Sequence, residues 1–202
     1  MVTKRQEVKR LNKVKNILVS YLPTPLHVIK IPSCQIKLQS VVKVNNAIQM
    51  EMMILFESNM KDLYEGSSWG YCAMDKKNEL FHKDARYLLL YTNSSHDENM
   101  IGYLHYRFHV EENGELVFYI YELQIKSNMQ RLGIGKKVMI LCSLLCKQLK
   151  CIDKMMLTVF TANEKAKRFY TTLGYSIDDS SPCANEEGGK DYRIMSKTIT
   201  GK

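Results

Sequence analysis

Residues 130–135 read Gln-Arg-Leu-Gly-Ile-Gly and stand between a strand predicted over 116–125 and an apolar helix predicted over 136–150. Glycines at such a junction let the backbone approach a phosphate closely, and the unpaired N–H groups of a helix start attract an anion. A tight turn before a helix needs glycine as well, so this stretch alone leaves both interpretations open. It is neither G-x-x-x-x-G-K-[ST] nor G-x-G-x-x-G, which argues against a nucleotide P-loop and a dinucleotide fingerprint.

A second motif follows a buried strand predicted over residues 155–160. Residues 163–175 read Asn-Glu-Lys-Ala-Lys-Arg-Phe-Tyr-Thr-Thr-Leu-Gly-Tyr. Q-x-x-G-x-G, a strand, and then N-x-x-A-x-x-F-Y-x-x-x-G-Y resemble the GCN5-related N-acetyltransferases, the GNAT superfamily. The resemblance covers about residues 86–177. It implies an α/β (α+β) fold with a mixed central sheet flanked by helices.

This resemblance also implies acetyl-CoA as the cofactor and no metal. The pyrophosphate is expected on the backbone of residues 131–136, and the pantetheine arm is expected to pair with residues 123–125 like an added strand. The implied cofactor-binding residues are Leu123, Gln124, Ile125, Arg131, Leu132, Gly133, Ile134, Gly135, Lys136 and Asn163.

Four further segments resemble the NatD family of histone N-terminal acetyltransferases. They are residues 64–71, 119–124, 156–160 and 177–182, and they extend the resemblance to about residues 50–197. The implied reaction is acetylation of the free N-terminal amine of histone H4, and of a second core histone with the same Ser-Gly-Arg-Gly start. The implied partners are therefore histone tail peptides.

Glu122 is the general base that the resemblance implies, acting directly or through a water. An α-amino group has a pKa near 8, against about 10.4 for lysine, so a modest base suffices for an N-terminus. An ordinary solvent-facing strand glutamate is the alternative. Strict alternation puts Tyr119 and Tyr121 on one face of the strand and Glu122 on the other. We therefore expect a β-bulge, which also frees a backbone N–H for the thioester oxygen.

Tyr121 and Tyr170 complete the implied catalytic set. Tyr170 occupies the position from which a tyrosine protonates the leaving thiolate in many GNAT enzymes, although packing in the core explains it equally well. No Cys-His pair has a spacing that suggests a covalent acetyl-cysteine. Direct transfer in a ternary complex is therefore favoured.

The NatD resemblance also implies a narrow slot around a small first residue and a glycine. Glu111 is expected to face the arginine of the substrate. This sequence departs from the family pattern at His109, where an acidic residue is expected, and histidine makes the recognition of arginine pH-dependent. The implied substrate-binding residues are Tyr64, Trp69, His109, Glu111, Tyr119, Tyr121, Thr158, Ser180 and Tyr192.

The composition is that of a globular protein with a basic surface. The chain has 202 residues, 45% of them hydrophobic and 25% charged, and a formal net charge of +8. These values exclude a disordered chain, a fibre or a coiled-coil rod. The longest uncharged apolar run, 138–146, is too short to cross a bilayer, and no signal peptide is recognisable. The six cysteines form no C-x-x-C pair and are expected to be reduced, with Cys142 and Cys146 in the core.

The predicted organisation is a basic helical segment with a proline-containing linker over residues 1–33, followed by an acetyltransferase domain over 34–202. Residues 1–20 suit one amphipathic helix that packs on the main domain; a nucleic-acid arm, a nuclear address or a membrane-surface helix is the alternative. The acidic residues of loop 178–187, with Glu111, Glu112 and Glu115, are expected to face the peptide. We expect a monomer in the nucleus and cytoplasm with no membrane partner. The rival functions are acetylation of lysine side chains or small amines and a non-catalytic chromatin-binding module.

Overall fold

One mixed sheet of eight strands forms the centre of the protein. The computed structural model describes residues 2–93, 98–182 and 190–199. The strands are β1 (Val28–Ile31), β2 (Cys34–Val41), β3 (Arg86–Asn93), β4 (Glu98–Val110), β5 (Leu116–Ile125), β6 (Lys154–Phe160), β7 (Ser176–Ile177) and β8 (Tyr192–Thr198). Their spatial order is β1-β2-β3-β4-β5-β6-β8-β7. Every pair is antiparallel except β5 with β6, which is parallel.

Helices cover both faces of this sheet. They are α1 (Lys4–Lys13), α2 (Ile17–Tyr21), α3 (Asn46–Glu65), α4 (Ala73–Leu80), α5 (Ile134–Leu149) and α6 (Glu164–Thr172). Alternation along β3 shows the division, because Leu88 and Leu90 face the core beneath α1, α2 and α5, whereas Tyr87 and Leu89 face the core beneath α3 and α4. This arrangement confirms the expected mixed α/β sheet flanked by helices.

The N-terminal segment is built into this core. The sequence predicts one helix over residues 1–20, but the structure has two, because the chain leaves the helical conformation at Val14. Leu11 and Leu18 are fully buried. Arg86, buried on β3, donates to the backbone oxygens of Asn12 and Val14 between the two helices.

Part of the predicted linker is a strand. Residues 28–31 form β1, which pairs with β2 at the edge of the sheet. The prolines that indicated a linker lie just outside it, with Pro25 in a 3₁₀ turn (Thr24–His27) and Pro32 in the turn to β2. Proline ends regular structure but does not forbid a short strand between two such positions.

The remaining elements follow the predicted order with shifted ends. The helix expected from 136 begins at Ile134, and the strand expected from 155 begins at Lys154. Cys142 and Cys146 are buried in α5, as predicted. Within the described ranges, no helix is long and apolar enough to span a membrane. Cys183, Glu186 and Glu187 lie outside the described residues.

Candidate active site

A cleft opens where the parallel strands β5 and β6 separate. Their pairing runs from Val117 with Lys154 to Ile120 with Leu157 and ends there. Residues 121–125 of β5 continue along β4, and residues 158–160 of β6 continue along β8. Beyond this point, the backbone N–H and C=O groups on the facing edges of β5 and β6 are therefore not hydrogen-bonded to each other.

A β-bulge at Tyr121 sets which side chains of β5 face the cleft. On β4, His105 pairs with Glu122 and Tyr106 pairs with Ile120, so Tyr121 is the extra residue of β5. The bulge changes the alternation, and it brings Tyr119, Tyr121 and Glu122 to the lining of one cleft. The bulge expected from the sequence is confirmed.

Glu122 is buried at the base of this cleft, with only 5% of the residue exposed. Its Oε1 accepts from Lys76 Nζ on α4, and its Oε2 accepts from Gln124 Nε2 at 2.6 Å. The amide oxygen of Gln124 in turn accepts from Asn59 Nδ2 on α3 at 2.9 Å. Burial raises the pKa of Glu122, and the Lys76 ammonium opposes that rise.

The glycine loop presents the start of α5 to the same cleft. Gly133 has φ 77°, in the left-handed region that favours glycine, and no side chain in the described part of the chain caps the first turn of the helix. The leading N–H groups of α5 are therefore available to an anion. Arg131, also left-handed at φ 60°, and Lys136 line the cleft beside the loop. Leu132, although expected here, is exposed outside the cleft lining.

The cleft has a volume of about 1270 Å³ and extends from the glycine loop to the turn between α3 and α4. This is larger than the usual range for a small-molecule pocket. It is lined by most of the residues expected from the sequence: Tyr64, Trp69, Tyr119, Tyr121, Glu122, Leu123, Gln124, Ile125, Arg131, Gly133, Ile134, Gly135, Lys136, Thr158, Asn163 and Tyr170.

Aromatic rings line one end of the cleft, and Tyr192 packs on them from outside the lining. The Trp69 ring lies 5.2 Å from Phe160 on β6 and 5.1 Å from Tyr192 on β8, and it contacts Tyr64 at 6.0 Å. Tyr119 hydrogen-bonds Thr158 at 2.5 Å between the strands. Burial raises the pKa of Tyr64 and of Tyr119 to about 12, so both phenols stay neutral.

Two expected substrate residues lie just beyond this end of the cleft. His109 and Glu111 share a contact of 2.5 Å between Nε2 and Oε1, and the His109 ring stacks on Tyr119 at 5.3 Å between centroids. Neither side chain lines the cleft itself. Glu111 therefore contacts His109, and His109 packs on Tyr119, which lines the cleft.

The acidic residues expected to face the peptide are partly engaged elsewhere. Lys154 binds Glu115 at 2.7 Å and Asp178 at 2.8 Å. The other oxygen of Asp178 accepts from Ser180 Oγ at 2.6 Å. Burial acts to raise the pKa of Asp178, but its hydrogen bonds outweigh burial and lower it. Asp178 and Glu115 thus neutralise Lys154, and Ser180 is held outside the cleft lining.

Asn163 and Tyr170 come from the start and the last turn of α6. Asn163 Oδ1 accepts from Ala166 N at 3.1 Å and caps the helix, so a contact with a ligand in the cleft falls to Nδ2. Tyr170 lines the cleft and also packs on Tyr175, with 5.7 Å between ring centroids. Desolvation raises the pKa of Tyr170, which keeps the phenol protonated.

Three residues at this site carry no signal that the sequence analysis used. Lys76 lies on α4, Asn59 on α3, and Asp191 directly before β8. Asp191 accepts from the backbone N–H of Ser68 and from Ser68 Oγ at 3.0 Å, which ties the turn bearing Trp69 to the start of β8. Their partners lie 46 to 123 residues away in the chain.

Solved structures of N-terminal acetyltransferases share this fold. Arabidopsis thaliana NAA60, solved with a bisubstrate analogue and also with acetyl-CoA, has a TM-score of 0.61 at 14% identity; the alignment with the former covers 83% of this chain and 99% of that one. Arabidopsis thaliana Naa50, in complex with the bisubstrate analogue CoA-Ac-MVNAL, has 0.52 at 21% identity over 81% and 98%. The NatC complex bound to Gag peptide and CoA has 0.59 at 18% identity over 82% and 99%.

The sequence itself identifies the family. Residues 52–175 match the family model described as "Acetyltransferase (GNAT) family", which is more than half of the chain. The match spans most of α3, the bulge of β5, the glycine loop and α6, all of which contribute to the cleft. The protein therefore belongs to the acetyltransferase (GNAT) family.

Proposed function

We propose that this enzyme transfers an acetyl group from acetyl-CoA to the free N-terminal amine of histone H4-type tails that begin Ser-Gly-Arg-Gly. The observation that carries the proposal is the bulge at Tyr121, which turns Glu122 into a cleft that has the start of α5 at one end and the Trp69 ring cluster at the other. Glu122, the proposed base, thus lies between the start of α5, which can bind an anion, and the aromatic end of the cleft.

The residues of the cleft fit acetyl-CoA. The uncapped start of α5, with Arg131 and Lys136 beside it, suits a pyrophosphate. Residues 123–125 offer a strand edge that β6 does not pair, which suits the amide groups of a pantetheine arm. Asn163 Nδ2 adds a donor to that arm. When bound, acetyl-CoA supplies the activated acetyl group.

Glu122 takes the proton that the substrate amine must lose. An ionised carboxylate has about four acceptor positions, so each oxygen of Glu122 can accept a further hydrogen bond beside Lys76 or Gln124. The amine, or a water next to it, is the expected donor. We assign the N–H of the bulged Tyr121 to stabilisation of the oxyanion, and Tyr170 to donation of its phenolic proton from Oη to the leaving thiolate.

The aromatic end of the cleft favours a small N-terminal residue over a lysine side chain. Trp69 bridges the α3–α4 turn to β6 and β8, and Tyr64 packs on Phe160 at 4.9 Å between centroids. We assign these rings to the walls of a slot around the first residue of the peptide. The bisubstrate and peptide complexes of the neighbouring structures support a peptide amine as acceptor.

The remaining assignments belong to the same proposal. Arg131 and Lys136 place part of the positive charge beside the proposed pyrophosphate site. Arg5, Lys9 and Lys13 are exposed on α1, where an acidic partner such as nucleic acid can bind. Thr158, Ser180, Glu111 and His109 are assigned to the peptide. We propose a monomer that acts in the nucleus and cytoplasm, where histones are made and used.

Two peptides test the proposed function. One begins with a free Ser-Gly-Arg-Gly and lacks lysine, and the other has the same start blocked and its lysines free. CoA release and mass mapping should show acetylation of the first peptide alone, and Glu122→Gln should reduce it by about 100-fold or more. Acetylation of the second peptide alone would show instead that the enzyme acetylates lysine side chains. Steeply salt-dependent DNA binding without turnover would favour the chromatin-binding module.

A further inference from the structure

Lys76 is a buried cation that the proposed reaction does not use. It belongs to α4, and only 4% of the residue is exposed. Its Nζ donates to Glu122 Oε1, to Glu79 Oε1 at 2.5 Å and to the Tyr64 hydroxyl at 3.1 Å. The ammonium also lies 4.4 Å from the centroid of the Phe56 ring. A lysine side chain is almost never fully buried unless its charge is paired.

The other groups around Glu122 do not supply a positive charge at neutral pH. Burial raises the pKa of Tyr64 on α3, Tyr103 on β4 and Tyr170 on α6, so these phenols stay neutral. His105 faces Glu122 across the β4–β5 register, and burial lowers its pKa to about 2, which makes it neutral as well. Gln124 is an uncharged donor.

The remaining charges nearby do not replace Lys76. Glu79 is a second carboxylate, which accepts from Lys76 and acts to raise the pKa of Glu122. Arg107 on β4 is directed elsewhere, since it donates to the backbone oxygen of Glu79 and stacks over the Tyr121 ring at 4.2 Å. Among the described residues that contact the Glu122 carboxylate, Lys76 is the cation.

We propose that Lys76 is the positioning residue that keeps Glu122 ionised and aimed into the cleft. The role of Lys76 in catalysis rests on the proposed function, whereas its effect on the ionisation of Glu122 does not. A carboxylate buried at this depth without a partner favours its protonated form. Burial acts to lower the pKa of Lys76, but Glu122 and Glu79 outweigh burial and raise it, so the lysine stays charged.

The test replaces the charge of Lys76 and leaves its surroundings in place. Lys76→Met removes the ammonium, Lys76→Gln keeps a hydrogen-bond donor without charge, and Lys76→Arg keeps the charge. Lys77→Met is the matched control, because Lys77 is the next residue of α4 and is exposed. Circular dichroism and thermal melting establish which variants fold; if Lys76→Met does not, Lys76→Gln carries the comparison.

The first readout does not depend on activity. Carboxyl ¹³C resonances of glutamate-labelled protein are titrated, and Glu122 is assigned from its loss in Glu122→Gln. We expect Glu122 to be ionised at pH 7 in the wild type, Lys76→Arg and Lys77→Met, and to titrate about 2 or more pH units higher in Lys76→Gln. An unchanged titration in Lys76→Gln would overturn the inference, whether or not the proposed substrate is correct.

The second readout is the pH profile of kcat/KM with the free Ser-Gly-Arg-Gly peptide. Because loss of the ammonium raises the pKa of Glu122, Lys76→Gln should lose about 10- to 100-fold in kcat/KM at pH 7 and recover as the pH is raised. Lys76→Arg should rescue the profile in part. A loss that is equal at every pH would assign Lys76 to packing alone. Absence of peptide acetylation by the wild type would instead refute the proposed function and leave the titration as the decisive test.

Discussion

Replacing Gly102 by alanine forces a methyl group into the backbone of β5. Gly102 lies on β4 opposite Ile125. A Cβ there would overlap the carbonyl oxygen of Gln124 and stand 3.2 Å from Ile125 Cα. Because backbone atoms cannot rotate away as a side chain can, β5 must shift. Because the contact is with backbone, overpacking should cost about 2–3 kcal/mol, the upper part of its usual range, and the lost flexibility of glycine returns about 1 kcal/mol, so the expected net destabilisation is about 1–2 kcal/mol.

Urea unfolding measures this change. Gly102→Ala should lower the unfolding midpoint with an unchanged m-value, and the melting temperature should fall by about 2–8 °C. The shift also displaces residues 123–125, so KM for acetyl-CoA should rise. Gly66→Ala is the control, because Gly66 has φ −82° and the nearest contact of its added Cβ is Asp62 O at 3.3 Å. If the free energy of unfolding of Gly102→Ala lies within about 0.5 kcal/mol of the wild type and its KM for acetyl-CoA is unchanged, the added methyl group does not displace β5.

Three further predictions concern the substrate end of the cleft and its support. Asp191→Ala should raise the peptide KM about tenfold and leave that of acetyl-CoA unchanged, because it removes two charge-assisted bonds that hold the Trp69 turn; initial-rate kinetics measure both. His109→Asp should lower the KM for a peptide with arginine at position 3 by about threefold and should not affect a peptide with alanine there. The pKa of Asp178 is lowered in the folded state, so the stability it contributes is present above its unfolded pKa, about 3.9, and is lost as pH falls. Between pH 5 and pH 2, the free energy of unfolding measured with urea should therefore fall more steeply for the wild type than for Asp178→Asn.

The local motifs of this sequence predict most of the cleft. The glycine loop before α5 and the Asn163 motif of α6 are short-range patterns, because each fixes a turn or a cap within a few residues. The bulge at Tyr121 was predictable for a different reason. Alternation along a strand is strict, so Tyr119 and Glu122 cannot share a face unless one residue is added between them.

The residues that the sequence did not predict depend on distant partners. Lys76 and Glu79, three residues apart on α4, have the spacing of an exposed helical ion pair, and nothing local shows that Glu122 lies against them. Lys76 does stand four residues before the buried Leu80, on the inner face of the helix, which is the one signal that pointed to burial. β1 was missed because nearby prolines outweigh a four-residue apolar alternation.

The proposed function assigns Glu122 to an N-terminal amine and not to a lysine side chain. One peptide that carries both a free Ser-Gly-Arg-Gly start and internal lysines tests it most directly, since the two kinds of amine compete in the same reaction. Tandem mass spectrometry after limited turnover locates the acetyl group. We expect the acetyl group on the N-terminal amine, and the Glu122→Gln enzyme should leave the peptide unmodified under the same conditions. Acetyl groups on the lysines, or full activity of Glu122→Gln at the N-terminus, would contradict it.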